Sequence, residues 1–419
     1  MKIKESIRGN GWRVVKNSVY GMMGAIFGQI IAMLTSIAMG RILGVKGVGS
    51  YTFAVTFAGI VYMFLNLGLG GIFQRNISRD ISSAEKNYSN ALAIRLFFSL
   101  PVSFILSILA AMLLSRTDDI GMLILACLYT GLTGIFSLVG DGITAIERFY
   151  VSFWYNIAQK ILIFITTVIV LYFTKSMIIM LIFHNLVFVI LVIAELVYVN
   201  KNLCRIHLKI DIPFSKNLIQ ESAPTILGVA AEYVSLKSDS LVLSVLLGDI
   251  ATGLYSVSSN IYIAASFIPL AMAKAATPAF NRMLVNKDDV NGMVKNTIRW
   301  MTLSSVILIG GIFLFGRWGI CLLWGKEFEQ AALTLKILSV SLLFMPLNRF
   351  FEYMLVGLNQ QMAVAKCSTI GAIFNVVGNF IFVPILGMNA VALTTIITEF
   401  IVMTMELRIL NKIRRKKGM

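Results

Sequence analysis

The sequence is poor in charge. Only 13% of its 419 residues are Asp, Glu, Lys or Arg, about half the share that a water-facing surface carries. That excludes an ordinary soluble enzyme. Histidine occurs twice, at His184 and His207, and the four cysteines, Cys127, Cys204, Cys321 and Cys367, form no CxxC pair. Neither a metal centre nor a disulfide framework has its ligands at workable spacing. No GxxxxGK[ST] phosphate loop is present, so ATP-driven transport would need a separate subunit. No basic patch with interleaved aromatics sits on a soluble segment, which removes nucleic acid as a partner. The basic, polar start, residues 1–16, leads into a long apolar run without a small-residue cleavage site, which is read as a retained membrane helix.

What the sequence has is apolar length. It is 58% hydrophobic, with a mean hydropathy of +0.84. Apolar windows long enough for a hydrocarbon core about 30 Å thick recur along the whole chain. Their expected spans are 17–40, 49–71, 91–115, 121–143, 150–174, 177–199, 222–246, 250–278, 296–316, 330–355, 362–386 and 388–410. Runs such as Ile161 to Phe173 are continuously apolar and do not alternate, so the spans are helices and not barrel strands. Alternate loops, starting with the N-terminus, hold 23 of the 36 basic residues, and the opposite loops hold six. By the positive-inside rule both termini are cytoplasmic, and the net charge of +16 is mostly an address for the inner face of a membrane.

A repeat is visible. Leu43-Gly44-x4-Gly49-x-Tyr51 recurs as Leu247-Gly248-x4-Gly253-x-Tyr255, 204 residues later. Each copy lies between the first and second span of a half, which predicts two six-helix lobes related by a parallel repeat. The expected division is an N-terminal lobe at 1–199, a cytoplasmic linker at 200–221 and a C-terminal lobe at 222–419 with a basic tail.

Thirteen ionisable residues fall inside these spans, each costing several kcal/mol at the bilayer centre unless it meets a cavity or a partner. Arg95, Glu195, Lys274, Arg349, Glu352, Glu406 and Arg408 lie near helix ends, and Lys336 lies near an opposite one; snorkelling to water is expected of these. Lys160, Glu232, Lys237, Asp239 and Glu399 lie too deep for that. Glu232 and Asp239 are seven residues apart and share a helical face, with Lys237 pointing almost oppositely. Such a carboxylate pair suits a proton or Na⁺; ion pairing with a neighbouring helix is the competing role. Asn375 and Asn379, at i and i+4, share a stripe that reads either as interhelical glue or as the polar wall of a cavity. His184 reads as a packed or hydrogen-bonded histidine, with a proton relay as the alternative. Asp118-Asp119 reads as a solvated turn opening a helix. No catalytic constellation and no resident metal or cofactor is expected; coupling to a proton or Na⁺ gradient is the one ionic requirement the carboxylates suggest.

Four stretches together resemble a known family: Arg41-Ile-Leu-Gly44 through Tyr51; Asn66-Leu-Gly-Leu-Gly70 to Arg75; Ala223-Pro224 followed by Lys237-Ser-Asp239 and Gly253-Leu-Tyr255; and Asn375-x3-Asn379 ending in Pro384-Ile-Leu-Gly387. They are similar to the polysaccharide-transport branch, Wzx-like O-antigen flippases, of the multidrug/oligosaccharidyl-lipid/polysaccharide flippase superfamily. The resemblance implies a V-shaped, all-α integral membrane protein of about twelve helices that alternates between inward-open and outward-open states. The implied cargo is an undecaprenyl-diphosphate-linked oligosaccharide (O-antigen, capsule or exopolysaccharide repeat unit), moved to the outer leaflet of a bacterial inner membrane. Membrane lipids, a polysaccharide polymerase and other export proteins are the implied partners. Lysine and arginine suit a partly desolvated diphosphate, which makes Lys160, Lys237 and Arg41 the first candidates, with Arg95, Lys274 and Arg349 as cytoplasmic-side capture residues. A cation-coupled multidrug antiporter is the alternative within transport. A membrane polymerase is a third reading; it would call for a large external loop, and none is longer than about fifteen residues. A lipid II flippase would usually add two helices, for which the stretch after Arg408 leaves no room.

Overall fold

The computed structural model describes residues 2–66, 68–113, 120–208, 210–286 and 290–417. Side chains are described throughout these except at 2–19, 22, 64, 110, 111, 113, 223–232, 234–236, 284–286 and 414–417. The regular structure of the described residues is entirely helical. In chain order the helices are α1 (Lys2–Leu65), α2 (Leu69–Arg79), α3 (Ala84–Ile94), α4 (Leu100–Leu113), α5 (Ile120–Ala145), α6 (Phe149–Thr174), α7 (Met177–Asn202), α8 (Ile212–Asn286), α9 (Val290–Leu323), α10 (Ala331–Ser339), α11 (Met345–Gly357), α12 (Gln361–Leu386) and α13 (Asn389–Lys417). Ten helical stretches are long and apolar enough to cross a membrane. Their surfaces suit lipid: Phe173 is 78% exposed, Leu314 77% and Ile385 72%, where a water-soluble chain would cover such side chains.

Two of the ten stretches, Met23–Met63 and Lys237–Met283, are 41 and 47 residues long, and each is interrupted by a glycine. Gly44 (φ 67°, ψ −175°) breaks α1, and Gly248 (φ 79°, ψ −170°) breaks α8. This backbone region is open essentially to glycine alone. The two glycines of the sequence repeat therefore do the same local job.

The third expected span, 91–115, is not one uniform helix. A π-helical turn, Arg95–Ser99, separates α3 from α4. Such turns insert an extra residue and tend to mark functional or strained places.

The chain divides into two compact units: unit 1 is Met1–Ile42 with Ala54–Ala230, and unit 2 is Leu43–Phe53 with Ala231–Met419. In unit 1 the core is built from α2, α3, α5 and α7 around Phe73, Tyr88, Val139 and Phe188. The Phe73 and Tyr88 rings meet edge to face at 4.8 Å, and the Tyr88 hydroxyl donates to the Val139 carbonyl at 3.0 Å.

Of the described residues in the polar stretch 200–221, only 203–208 and 210–211 lie outside a helix, and they are tied to unit 1. Asn90, 2% exposed, accepts through its Oδ1 from the Asp211 amide (2.7 Å) and the Ser215 hydroxyl (3.0 Å). Asp211 caps α8 by accepting from the Phe214 amide at 3.0 Å. Its carboxylate also meets Lys86 at 2.8 Å, and this ammonium holds it below the usual carboxylate range. Arg75, in the second motif stretch, pairs with Glu221 at 2.5 Å.

In unit 2 the core includes Met301, Phe350, Phe351 and Leu355. Here the two copies of the glycine motif meet. Ser50 donates to the Asp249 carboxylate at 2.8 Å. A Cβ on Gly49 would strike the Asp249 carbonyl, and one on Gly253 would strike the Val45 carbonyl. Both clashes are with main chain, which cannot rotate away. Gly49→Ala and Gly253→Ala are each expected to destabilise the detergent-solubilised protein by about 1–3 kcal/mol. Gly310→Ala, where nothing lies within 4 Å, is expected to melt no lower than the parent, and thermal unfolding of the three variants checks the difference.

Candidate functional site

The densest polar grouping among the described residues lies inside unit 2, where α8, α12 and α13 converge on Asp239. The side chain is 6% exposed. Its Oδ2 accepts from the Tyr255 hydroxyl at 2.6 Å and from Thr395 at 3.4 Å, and its Oδ1 accepts from the Asn379 amide at 2.7 Å. The same Asn379 Nδ2 reaches Asn375 Oδ1 at 3.3 Å, and Ser238 donates to that oxygen at 3.2 Å. Thr394 donates to Asn379 Oδ1. Asn375 and Asn379 share a stripe because four residues make roughly one helical turn; Thr394 and Thr395 come from the start of α13.

Chemically, this is a carboxylate surrounded by side-chain oxygens and supplied with three donors. The donors stabilise a negative charge that could not otherwise be kept dry. Rotation of the Asn379 amide would turn its oxygen toward the carboxylate, and a hard monovalent cation would then meet only oxygen ligands.

Of the four residues that the sequence suggests for cation coupling, the structure brings together Asp239, Asn375 and Asn379. Glu232 lies on the same helix, but its side chain falls outside the described residues, as do Pro224 and the Asp118-Asp119 pair. Lys237 is exposed.

The other candidate cations are divided between the two units. In unit 1, Arg41 near the break in α1 is exposed. Lys160, on α6, is half-buried, its aliphatic stem 3.9 Å from where a Cβ on Gly28 of α1 would stand. Arg95 is 2% exposed; it donates to the Gly134 carbonyl and to Asn66 Oδ1, bracing the turn after α1 against the π-helical turn it opens. In unit 2, Lys274 is exposed, and Arg349 pairs with Glu352 at 2.8 Å.

Burial corrects three expectations of snorkelling. Arg95 at 2%, Glu195 at 0% and Glu406 at 1% are sealed, because neighbouring helices cover them from the side even though they lie near helix ends. His184 is also fully buried, with Nε2 2.9 Å from the Thr167 hydroxyl. Sequence reasoning missed Tyr255, Ser238, Thr394 and Thr395 as members of the Asp239 network. Tyr255 had a signal, since it closes the second copy of the repeat; the hydroxyls had none, because Ser and Thr are common in membrane helices as internal hydrogen-bonders.

Comparison with known proteins agrees with this architecture. A family model described as "Polysaccharide biosynthesis protein" matches residues 14–284. No curated protein matches the sequence. Among solved structures, "Lipid II flippase MurJ, inward closed conformation" is similar with a TM-score of 0.77 and 14% identity, over 94% of this chain and 87% of that one. An inward-facing multidrug resistance MATE family transporter of the MOP superfamily gives 0.68 and 14%, over 90% and 92%. The MATE multidrug transporter DinF-BH gives 0.68 and 16%, over 96% and 95%. The fold is thus that of MurJ and the MATE transporters, and the chain is a multi-pass helical membrane protein.

Removing the Asp239 carboxylate leaves the buried Tyr255 hydroxyl without its acceptor and the Asn379 amide with only its longer bond to Asn375. Asp239→Ala is expected to cost about 1–3 kcal/mol for the orphaned hydroxyl, and Asp239→Asn less, since one acceptor oxygen remains. Melting curves of the two variants decide the order.

Proposed function

The chain belongs to the polysaccharide biosynthesis protein family, and we propose that within it the protein is a flippase for an undecaprenyl-diphosphate-linked oligosaccharide. The cargo is an O-antigen, capsule or exopolysaccharide repeat unit, carried from the cytoplasmic to the outer leaflet of a bacterial inner membrane by alternating access. The observation that carries this reading is that a chain of a polysaccharide biosynthesis family has, over 94% of its length, the fold of a protein titled a lipid II flippase. On this reading a sugar head group and a diphosphate cross while a lipid tail stays in hydrocarbon. The protein moves its substrate without altering it, so no catalytic residue and no resident cofactor is assigned; a polymerase and other export proteins would act on the delivered repeat unit.

The topology proposed for this work has twelve spans. At 1.5 Å per residue, the 41- and 47-residue stretches are each about twice as long as a hydrocarbon core, and each is broken once by glycine, so each counts as two crossings. Two six-helix lobes, 1–199 and 222–419, are then related by the 204-residue offset, with both termini cytoplasmic.

For the diphosphate we assign Lys160, Lys237 and Arg41, with Arg95, Lys274 and Arg349 on the capture side. Lys237 supports this best. An exposed ammonium deep in a span costs about 3 kcal/mol in hydrocarbon, so the surface that bears it borders water or an anion. For coupling we assign a proton or Na⁺ to Asp239, Asn375 and Asn379, with Glu232, seven residues before Asp239 in the sequence. A cation-coupled multidrug antiporter is the second reading, favoured by the Asp239 network together with the MATE-like fold.

Deletion of the gene is expected to abolish surface polysaccharide while lipid-linked repeat units accumulate on the inner leaflet. Repeat units that still reach the outer leaflet, in a strain with no second flippase, would overturn the assignment. Lys160→Ala and Lys237→Ala are expected to lower export at least tenfold at unchanged protein level, measured by surface labelling; normal export in both would remove the diphosphate site. Transport into proteoliposomes is expected to respond to an imposed proton or Na⁺ gradient in the parent protein and not in Asp239→Asn.

A further inference from the structure

Unit 2 holds a second group of ionisable side chains, on α11 and α13, that the Asp239 network does not use. Arg349 and Glu352 form an i,i+3 pair at 2.8 Å, with side chains 32% and 26% exposed. Asn348 donates its Nδ2 to both the main-chain carbonyl, at 2.9 Å, and the carboxylate of Glu399. This double contact fixes the amide's orientation, and leaves its Oδ1 as a buried acceptor with no donor. Seven residues further along α13, and so on nearly the same face, Glu406 is 1% exposed, with an Oε2 that is buried and has no hydrogen-bond partner.

Among the described residues, the charged groups that face these carboxyls are mostly acidic. Glu406 is faced by Glu352, Glu399 and Arg349 and by Cys367 of α12. Glu399 is faced by Asn348, Arg349, Asp239 and Glu352, and by Tyr262 of α8. The one guanidinium in this set pairs with Glu352 and also acts on Glu399 and Glu406. One cation shared by three carboxyls leaves net negative charge in a place of low dielectric, where the three do not all ionise together.

We propose that Glu399 and Glu406, together with Asn348 and the Arg349–Glu352 pair, form a proton-binding site in unit 2, separate from the Asp239 network. A proton arriving from water reaches the partly exposed Glu352 and Glu399 and forms an O–H bond on Glu399 or on the buried Glu406. On release the same bond breaks, the carboxylate regains its charge, and nothing is oxidised or reduced. The neutral acid also supplies a donor to a neighbourhood that has a spare acceptor, Asn348 Oδ1. The 204-residue offset that relates Gly44 to Gly248 relates Glu195 to Glu399. Glu195, on α7 of unit 1, is likewise buried, with both carboxyl oxygens unpartnered. This correspondence rests on the proposed repeat; the site in unit 2 does not.

The test is infrared difference spectroscopy of the full-length protein in lipid nanodiscs, taken through a pH titration. The parent protein is expected to show a protonated-carboxyl C=O band at neutral pH that disappears only at more alkaline pH. With the spectra taken in a Glu195→Gln background, which removes the other carboxyl with unpartnered buried oxygens, Glu399→Gln with Glu406→Gln is expected to remove most of that band, and Asp239→Asn to keep it. Absence of the band in the parent, its survival in the double variant, or its loss in Asp239→Asn alone would each overturn the proposal. Should the double variant fail to fold, Glu352→Gln serves instead. It removes a neighbouring negative charge, and is expected to weaken proton binding about tenfold, one pH unit on the titration; an unchanged or strengthened affinity overturns the site. The readout is proton occupancy, so its failure is distinguishable from a wrong assignment of cargo.

Discussion

A bilayer core offers no hydrogen bonds, and every polar group that the chain brings into it must be satisfied by the chain itself. That constraint explains why the described regular structure is helical throughout. It also explains why departures from the helix are few and specific. Gly44 and Gly248 take a backbone region closed to other residues, and beside them Ser50 bonds the Asp249 carboxylate where glycines let main chains come together. At the π-helical turn the guanidinium of Arg95 serves the Gly134 carbonyl and the Asn66 amide. Irregular backbone appears in this protein where a side chain or a close glycine contact accompanies it.

The same constraint sorts the buried carboxyls into two kinds. Asp239 is saturated: a tyrosine, an asparagine and a threonine donate to it, so its negative charge has a home and a cation can replace or join the donors. Glu195 and Glu406 are starved, with buried oxygens that meet no donor, and such groups are better neutral than charged. The first environment suits a carboxylate that exchanges partners, the second a carboxyl that carries its own proton. Asp239 and Glu406, one of each kind, stand within unit 2, and α13 carries Glu406 as well as a threonine that bonds Asp239, so a change in the packing of α13 would be felt by both.

Much of this was legible in the linear pattern. Span lengths follow from hydropathy, because the thickness of hydrocarbon is a fixed ruler. The pairing of Asn375 with Asn379 and the opposition of Asp239 and Lys237 follow from helical periodicity, which is a local property. The glycine repeat pointed to the two places where long helices break. What was not legible was lateral cover. Arg95, Glu195 and Glu406 lie near the ends of helices, which suggested access to water, but depth along a helix does not report which neighbours wrap it.

The sequence by itself therefore determined the solvent, the helical class, the positions of the breaks and which residues share a face, since each depends on the order of residues within a few turns. Only the tertiary structure decided that Asp239 meets Asn379 across 140 residues, that Tyr255, Thr394 and Thr395 complete its network, and that Glu406 is sealed while Glu352 stays half-exposed. Those outcomes depend on how separate helices pack side by side. In a medium where lipid and leucine are equally apolar, the packing is selected by small residues, close fit and mutual hydrogen bonding, none of which is written in the hydropathy of any one helix.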